Sequence, residues 1–213
     1  MTDSKGFFLT FEGGEGAGKS TQISLLRDFL ASKGIDVVLT REPGGSAGAE
    51  AIRELLLNGA EDKWDPVSEV LLFSAARRNH LQTKVFPALS AGKWVLCDRF
   101  ADSTMAYQGY AYGEKSVPLS DIEALYKIAA GDFQPDLTFI LDIPVEEGLK
   151  RVEARSEAIT RFEQMKLDFH KKLRSAYVNI ADANPERCVL INAADTKERI
   201  HERIVSLVMQ RLF

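Results

Sequence analysis

The residue types able to do chemistry are concentrated in one short run, GGEGAGKS, Gly13 to Ser20. It satisfies G-x-x-x-x-G-K-[ST] at every position and fits the dinucleotide pattern G-x-G-x-x-G in no register. Glycines allow a backbone to wrap closely around phosphate groups, a lysine after them reaches the terminal phosphate oxygens, and the serine hydroxyl reaches Mg²⁺. Gly13, Gly14, Glu15, Gly16, Ala17, Gly18, Lys19, Ser20 and Thr21 are therefore the expected nucleoside-triphosphate set, with Lys19 acting on the transferred group. A second constellation stands in "WVLCDR", where an apolar run ends in Asp98 and Arg99. Asp98 is expected to organise metal beside Ser20, and Arg99 to meet a second phosphate.

These groups need elements to hold them. Five short apolar runs, "FFLTFE", "DVVLT", "WVLCD", "LTFILDI" and "CVLIN", read as buried strands, and longer amphipathic stretches separate them. That alternation predicts a five-stranded parallel α/β sheet covered by helices on both faces. The phosphate loop follows the first run and opens a helix, which aims backbone N–H groups and the positive helix end at an anion. Asp65 and Pro66 mark a helix start that runs toward Gly92, with Pro87 expected to kink or restart it. Ser120 and Glu123 form a capping-box pattern before a helix that Gly131 should end, and Gly59 should end the helix "AIRELLLN". Phe162, Met165, Phe169, Leu173, Tyr177 and Ile180 read as one buried stripe. The polar stretch "EEGLKRVEARSEAITRFEQ" reads as a mobile flap, a lid spanning about residues 150–161.

Bulk properties narrow the function class. The chain has 213 residues, 45% of them apolar and 27% charged, which suits a single domain over 1–213 with its own core. A formal net charge of −4 and a pI near 5.5 give no whole-molecule attraction to nucleic acid. Cys97 and Cys188 lack metal-ligand spacing and read as reduced, buried thiols, which suits the cytoplasm. The chain is expected to carry no export signal and no membrane span.

Over nearly its whole length the sequence resembles the bacterial thymidylate kinases, in "FEGGEGAGKST", "TREPGGS", "LLFSAARRNH", "DRFADSTMAYQG" and "RFEQ". The resemblance implies a P-loop NTPase fold and transfer of the γ-phosphoryl group of MgATP to dTMP, giving dTDP and ADP. It implies that Phe73 stacks on thymine and Arg77 meets its O4 edge, and the i, i+4 spacing places both on one helix face. By the same resemblance Arg99 grips the acceptor phosphate, Ser103 and Thr104 line the thymine edge, and Tyr107 with Gln108 complete the "AYQG" motif, the tyrosine crowding the sugar 2′ position. Glu15 approaches the sugar 3′-hydroxyl and the metal region, Arg41 lies by the acceptor, and Glu163 approaches the acceptor or metal. A homodimer is implied as well, with the "EVLLFSAARRNH" helix supplying a face.

Two departures from the family pattern carry information. Some members place an arginine directly after the acidic loop position, where this chain has Gly16, so the catalytic cation must come from the lid. Arg151, Arg155 and Arg161 are available there; Arg155 is the first expectation and Arg151 the second, with a closing arginine worth about 10³ to 10⁵ in rate. Thr160 replaces an acid common in relatives. Another nucleoside monophosphate kinase, or a nucleotide-dependent switch with no small acceptor, are the alternative functions.

Overall fold

The computed structural model describes residues 5–60, 62–154 and 160–213. Each apolar run becomes a strand: β1 (Phe8–Glu12), β2 (Val37–Arg41), β3 (Trp94–Asp98), β4 (Leu137–Asp142) and β5 (Cys188–Asn192). All pairs are parallel, in the order β2-β3-β1-β4-β5. The helices are α1 (Lys19–Ser32), α2 (Ala47–Leu57), α3 (Pro66–His80), α4 (Phe86–Ser90), α5 (Ala101–Thr104), α6 (Leu119–Ala130), α7 (Val145–Glu153), α8 (Leu167–Ala183) and α9 (Lys197–Leu212).

Strand pleating sorts side chains to two faces. Leu9 and Phe11 of β1 join Trp94 and Leu96 of β3 against Ile23, Leu26 and Leu30 of α1 and Ile204 and Val208 of α9. Phe8, Val95 and Cys97 point the other way, onto Leu81, Val85 and Phe100, while Ile140 of β4 meets Leu173 and Tyr177 of α8. Both faces are thus covered, as continuous apolar strands require. Glu12 shares the pleat face of Phe8 and Thr10, so the last residue of β1 carries a carboxylate into the second face.

The caps match expectation at α3. Asp65 Oδ1 accepts from the N–H groups of Val67 and Ser68 at 3.0 and 3.1 Å, and Pro66 opens the helix. Beyond His80 the helix widens into a π-helical stretch, Leu81–Val85, before α4 restarts with Pro87 in its first turn, because proline supplies no N–H to the ladder. Gly131 ends α6 at φ 67° and Gly59 follows α2 at φ 111°. The capping box fails. Helix α6 begins after Pro118, whose carbonyl accepts from Asp121 and Ile122, so Ser120 lies inside the first turn and caps nothing. The stripe through Phe162 and Met165 is also not one helix: α8 starts only at Leu167, and those two side chains join its core from the preceding turn.

Order 2-3-1-4-5 sends the connections leaving β1 and β3 to opposite sides of the sheet, which opens a crevice at the carboxyl ends of β1 and β3. The phosphate loop, Asp98-Arg99 and the segment after β2 all emerge there. Among the described residues no helix is long and apolar enough to cross a membrane.

Candidate active site

The loop between β1 and α1 is built by its own glycines and by what leans on them. Lys19 is buried, and its Nζ donates to the carbonyls of Gly13 and Gly14 at 3.2 and 2.9 Å. Burial, followed by the nearby Arg99 cation, pushes its pKa down, against the pull of Glu15, Asp98 and Glu12. Ser20 Oγ donates to Asp98 Oδ2 at 3.0 Å, so the two residues expected at metal are in contact across the β1–β3 edge. Gly16 has φ +70°, and a Cβ there would stand 2.1 Å from the carbonyl oxygen of Gly148 in α7. In return a Cβ on Gly148 would stand 2.4 Å from the carbonyl oxygen of Glu15. Loop and helix meet backbone to backbone, which explains why no arginine stands at position 16.

Arg99 is the only non-glycine residue with positive φ, 68°, among the described residues, a conformation that costs on the order of 1–2 kcal/mol. Strand β1 holds it: Arg99 N donates to Phe11 O at 2.9 Å, and Phe100 N donates to Glu12 Oε1 at 2.7 Å. The turn aims the guanidinium into the crevice. Its Nη2 donates to Glu15 Oε1 at 2.8 Å, and its Nη1 to Gly13 O, Ser103 Oγ and Tyr177 Oη at 3.0, 3.2 and 3.0 Å. Tyr107 Oη also donates to Glu15 Oε1, at 2.6 Å. Burial by itself would raise the pKa of Glu15, but Arg99, Lys19 and the Tyr107 hydrogen bond outweigh it and hold the carboxylate down at about 2. Beneath Arg99, Glu12 accepts from Ser103 Oγ at 2.6 Å and Tyr177 Oη at 3.2 Å. Burial, helped by repulsion from Asp102, pushes its carboxyl up to about 7.

The other end of the crevice is aromatic and held by buried ion pairs. Arg77 Nε donates to Glu42 Oε2 at 2.8 Å and Nη2 to Thr104 Oγ1 at 3.0 Å, with the guanidinium 5.1 Å from the Phe100 ring. His80 holds the other Glu42 oxygen, Nδ1 to Oε1, at 2.9 Å. Phe73 and Phe162 face each other across 6.4 Å, and Tyr107 meets Phe162 edge-on at 5.4 Å.

These groups line one cavity of about 410 Å³: Glu15 to Ser20, Arg41, Glu42, Arg53, Phe73, Arg77, Asp98, Arg99, Ser103, Thr104, Tyr107, Gln108, Phe162 and Glu163 among them. It gathers every residue expected at the acceptor, and both expected at metal, from segments spread over most of the chain. Gly13 and Gly14 lie just beneath, on a smaller cavity between β4, α7 and α8, and Thr21 is exposed on α1. Arg151 does not line this cavity; it pairs with Glu147 within α7 and donates to Ala193 O at 3.3 Å. Arg155 lies outside the described residues. Arg161 is not a free lid cation. It is 2% exposed, ion-paired with Glu69, bonded through Nε to Leu56 O at 3.2 Å and seated on the Phe162 ring.

Glu12, Arg53, Glu69, Phe162 and Tyr177 also line or brace the site, beyond the residues expected there. Glu12 and Glu69 left a signal, each a carboxylate inside an otherwise apolar run. Phe162 and Tyr177 read as core because their spacing was apolar, and only the fold reveals that one faces the cavity and the other lends its hydroxyl to Arg99. The donor set at Ser20 and Asp98 is all oxygen, which fits a hard cation. Among the described residues no group of three or more His, Cys, Asp or Glu side chains could hold a metal. Mg²⁺ bound largely through substrate phosphates, with one or two protein oxygens, is compatible with that pattern.

A family model described as thymidylate kinase matches residues 11–204. The chain is 55% identical over 209 residues to a thymidylate kinase of Caulobacter vibrioides, covering 98% of this chain and 99% of that one. It is 51% identical over 211 residues to a thymidylate kinase of a Bradyrhizobium strain, covering 98% and 92%. The crystal structure of a thymidylate kinase from Ehrlichia chaffeensis superposes with a TM-score of 0.75 at 36% identity, covering 96% and 99%.

Proposed function

The chain belongs to the thymidylate kinase family, and from that premise we propose how its P-loop NTPase fold moves the γ-phosphoryl group of ATP to dTMP. The observation that carries the reading is the single cavity lined at once by Lys19, Ser20 and Asp98, by Arg99, and by Phe73, Arg77 and Gln108. Phosphoryl transfer asks a protein for alignment and positive charge more than for covalent chemistry.

On binding ATP, Lys19 exchanges the carbonyls of Gly13 and Gly14 for phosphate oxygens, with the backbone N–H groups of residues 13–21 around them. Ser20 and Asp98 would hold Mg²⁺, which supplies charge neutralisation on the donor phosphates. Arg99 turns from Glu15 to the acceptor phosphate. Glu15, kept ionised by its cationic neighbours, and Tyr107 take the deoxyribose, where ring bulk disfavours a 2′-hydroxyl. Phe73 stacks on the base, Arg77 donates to O4, and Ser103, Thr104 and Gln108 address its remaining edge. Arg41 and Glu163 stand at the rim of the acceptor. The lid, about residues 150–161, brings Arg155, or Arg151 from α7, to the transferring group and excludes water as it closes.

We assign the active form as a homodimer. Val67 and Leu71, one turn apart on α3, and Leu55 on the adjoining α2 are about half exposed, an apolar patch suited to a second copy of this chain. Two free, buried thiols, Cys97 and Cys188, suit the cytoplasm. The direct test is product formation from MgATP with dTMP, dUMP, UMP, CMP, AMP and GMP in parallel. Strong preference for dTMP is expected. Equal use of another base would overturn the assignment of Phe73 and Arg77, and nucleotide binding without any diphosphate product would point to a switch.

A further inference from the structure

Glu69 of α3 is fully buried one turn before Phe73 and touches no part of the phosphate machinery. Its carboxylate collects three donors: Arg161, the Tyr112 hydroxyl at 3.0 and 3.1 Å, and Gln108 Nε2 at 2.7 Å. A carboxylate facing a guanidinium only accepts, so the Gln108 amide has to turn its NH₂ toward Glu69. Its Oε1 is then the polar atom left over; it is buried and has no protein partner among the described residues. Gln108 also lines the acceptor cavity, beside Thr104 and Arg77.

We propose that Glu69 is a specificity-determining positioning residue, fixing the Gln108 amide so that an acceptor oxygen faces the base. The inference rests on the reading above that this cavity holds a pyrimidine nucleotide with Arg77 at O4. The ring atom next to O4 is N3, which carries a hydrogen in thymine and uracil and a lone pair in cytosine. An acceptor held there rewards the first two and leaves the third facing oxygen against lone pair, a mismatch worth roughly 10- to 100-fold in a buried site.

Glu69→Gln separates orientation from mere support. The new amide offers its oxygen to Arg161 and its NH₂ to Gln108, which inverts the Gln108 amide and turns a donor to the base. The expected result is a dTMP-to-dCMP ratio of kcat/KM lowered about 10- to 100-fold, with the dTMP-to-dUMP ratio and the KM for ATP within about threefold of wild type. The exchange Glu69→Gln with Gln108→Glu should restore the dTMP-to-dCMP ratio, because a carboxylate at 108 presents an acceptor whichever way it turns, and it carries the test if the single variant does not fold. A wild type selective for dTMP whose ratio survives Glu69→Gln overturns this inference alone, as does equal loss with all three pyrimidines, or failure of the exchange to recover selectivity. A wild type that phosphorylates none of them overturns the functional reading together with this one.

Discussion

Gly148 of α7 offers a substitution whose two effects have opposite signs. As a helical residue, its replacement by alanine should stabilise the native state by about 1 kcal/mol through helix propensity. The added Cβ, however, would stand 2.4 Å from the carbonyl oxygen of Glu15 and 3.4 Å from Ile143 Cγ2. Ordinary contact begins near 3.4 Å, and the obstructing atom is backbone of the phosphate loop, so α7 has to retreat by about 1 Å. Helix α7 carries Arg151 and leads into the segment holding Arg155. A misplacement of about 1 Å in a group that aligns the reaction can lower turnover on the order of 100-fold. Gly148→Ala is therefore expected to keep its melting temperature within a few degrees of wild type, retain dTMP affinity, and lose about two orders of magnitude in kcat. Thermal unfolding, dTMP titration and steady-state kinetics read the three quantities. A higher melting temperature with unchanged kcat would refute the argument, since α7 would then have no need to touch the loop. Equal losses in dTMP affinity and kcat would refute it too, showing collapse of the whole crevice in place of a displaced lid base.

Glu12→Gln tests the buried carboxyl under Arg99. Its pKa is raised from 4.5 to about 7, so the native state holds this proton more tightly than the unfolded chain. The associated stability is complete below pH 4.5 and falls as pH rises through 7, by about 3 kcal/mol in total; urea unfolding at pH 5 and 8.5 should show that fall in wild type and its absence in the variant. Lys19→Ala should abolish turnover while leaving the fold intact by circular dichroism, and normal turnover would remove the phosphate-loop assignment. Phe73→Ala should weaken dTMP binding at least tenfold with ATP binding little changed; equal weakening of both would make Phe73 a packing residue only. Arg155→Ala should lower kcat about 10³-fold or more with both nucleotides still bound, and an unchanged kcat would transfer the role to Arg151.

Much of this protein was legible locally. Five strands, the phosphate loop, the Asp65 cap and the restart at Pro87 follow from interactions among residues a few positions apart, where steric preference and apolar periodicity act directly. The residues expected at the acceptor were named through resemblance, and the fold gathers them around one cavity; spacing alone put Phe73 and Arg77 on one helix face without saying what that face meets. The misreadings share a cause. Ser120 fits a capping pattern, yet the chain entering from Pro118 begins the helix two residues earlier. Arg161 sits in a polar stretch and reads as mobile, yet it finds a buried carboxylate 92 residues away. Local pattern reports whether a side chain seeks burial or water; it does not report its partner. The strand order, the 165-residue closure between Glu12 and Tyr177, the backbone approach of Gly16 to Gly148 and the Glu69–Gln108 contact were decided only when distant segments packed, because desolvation and pairing energies depend on what arrives from elsewhere in the chain.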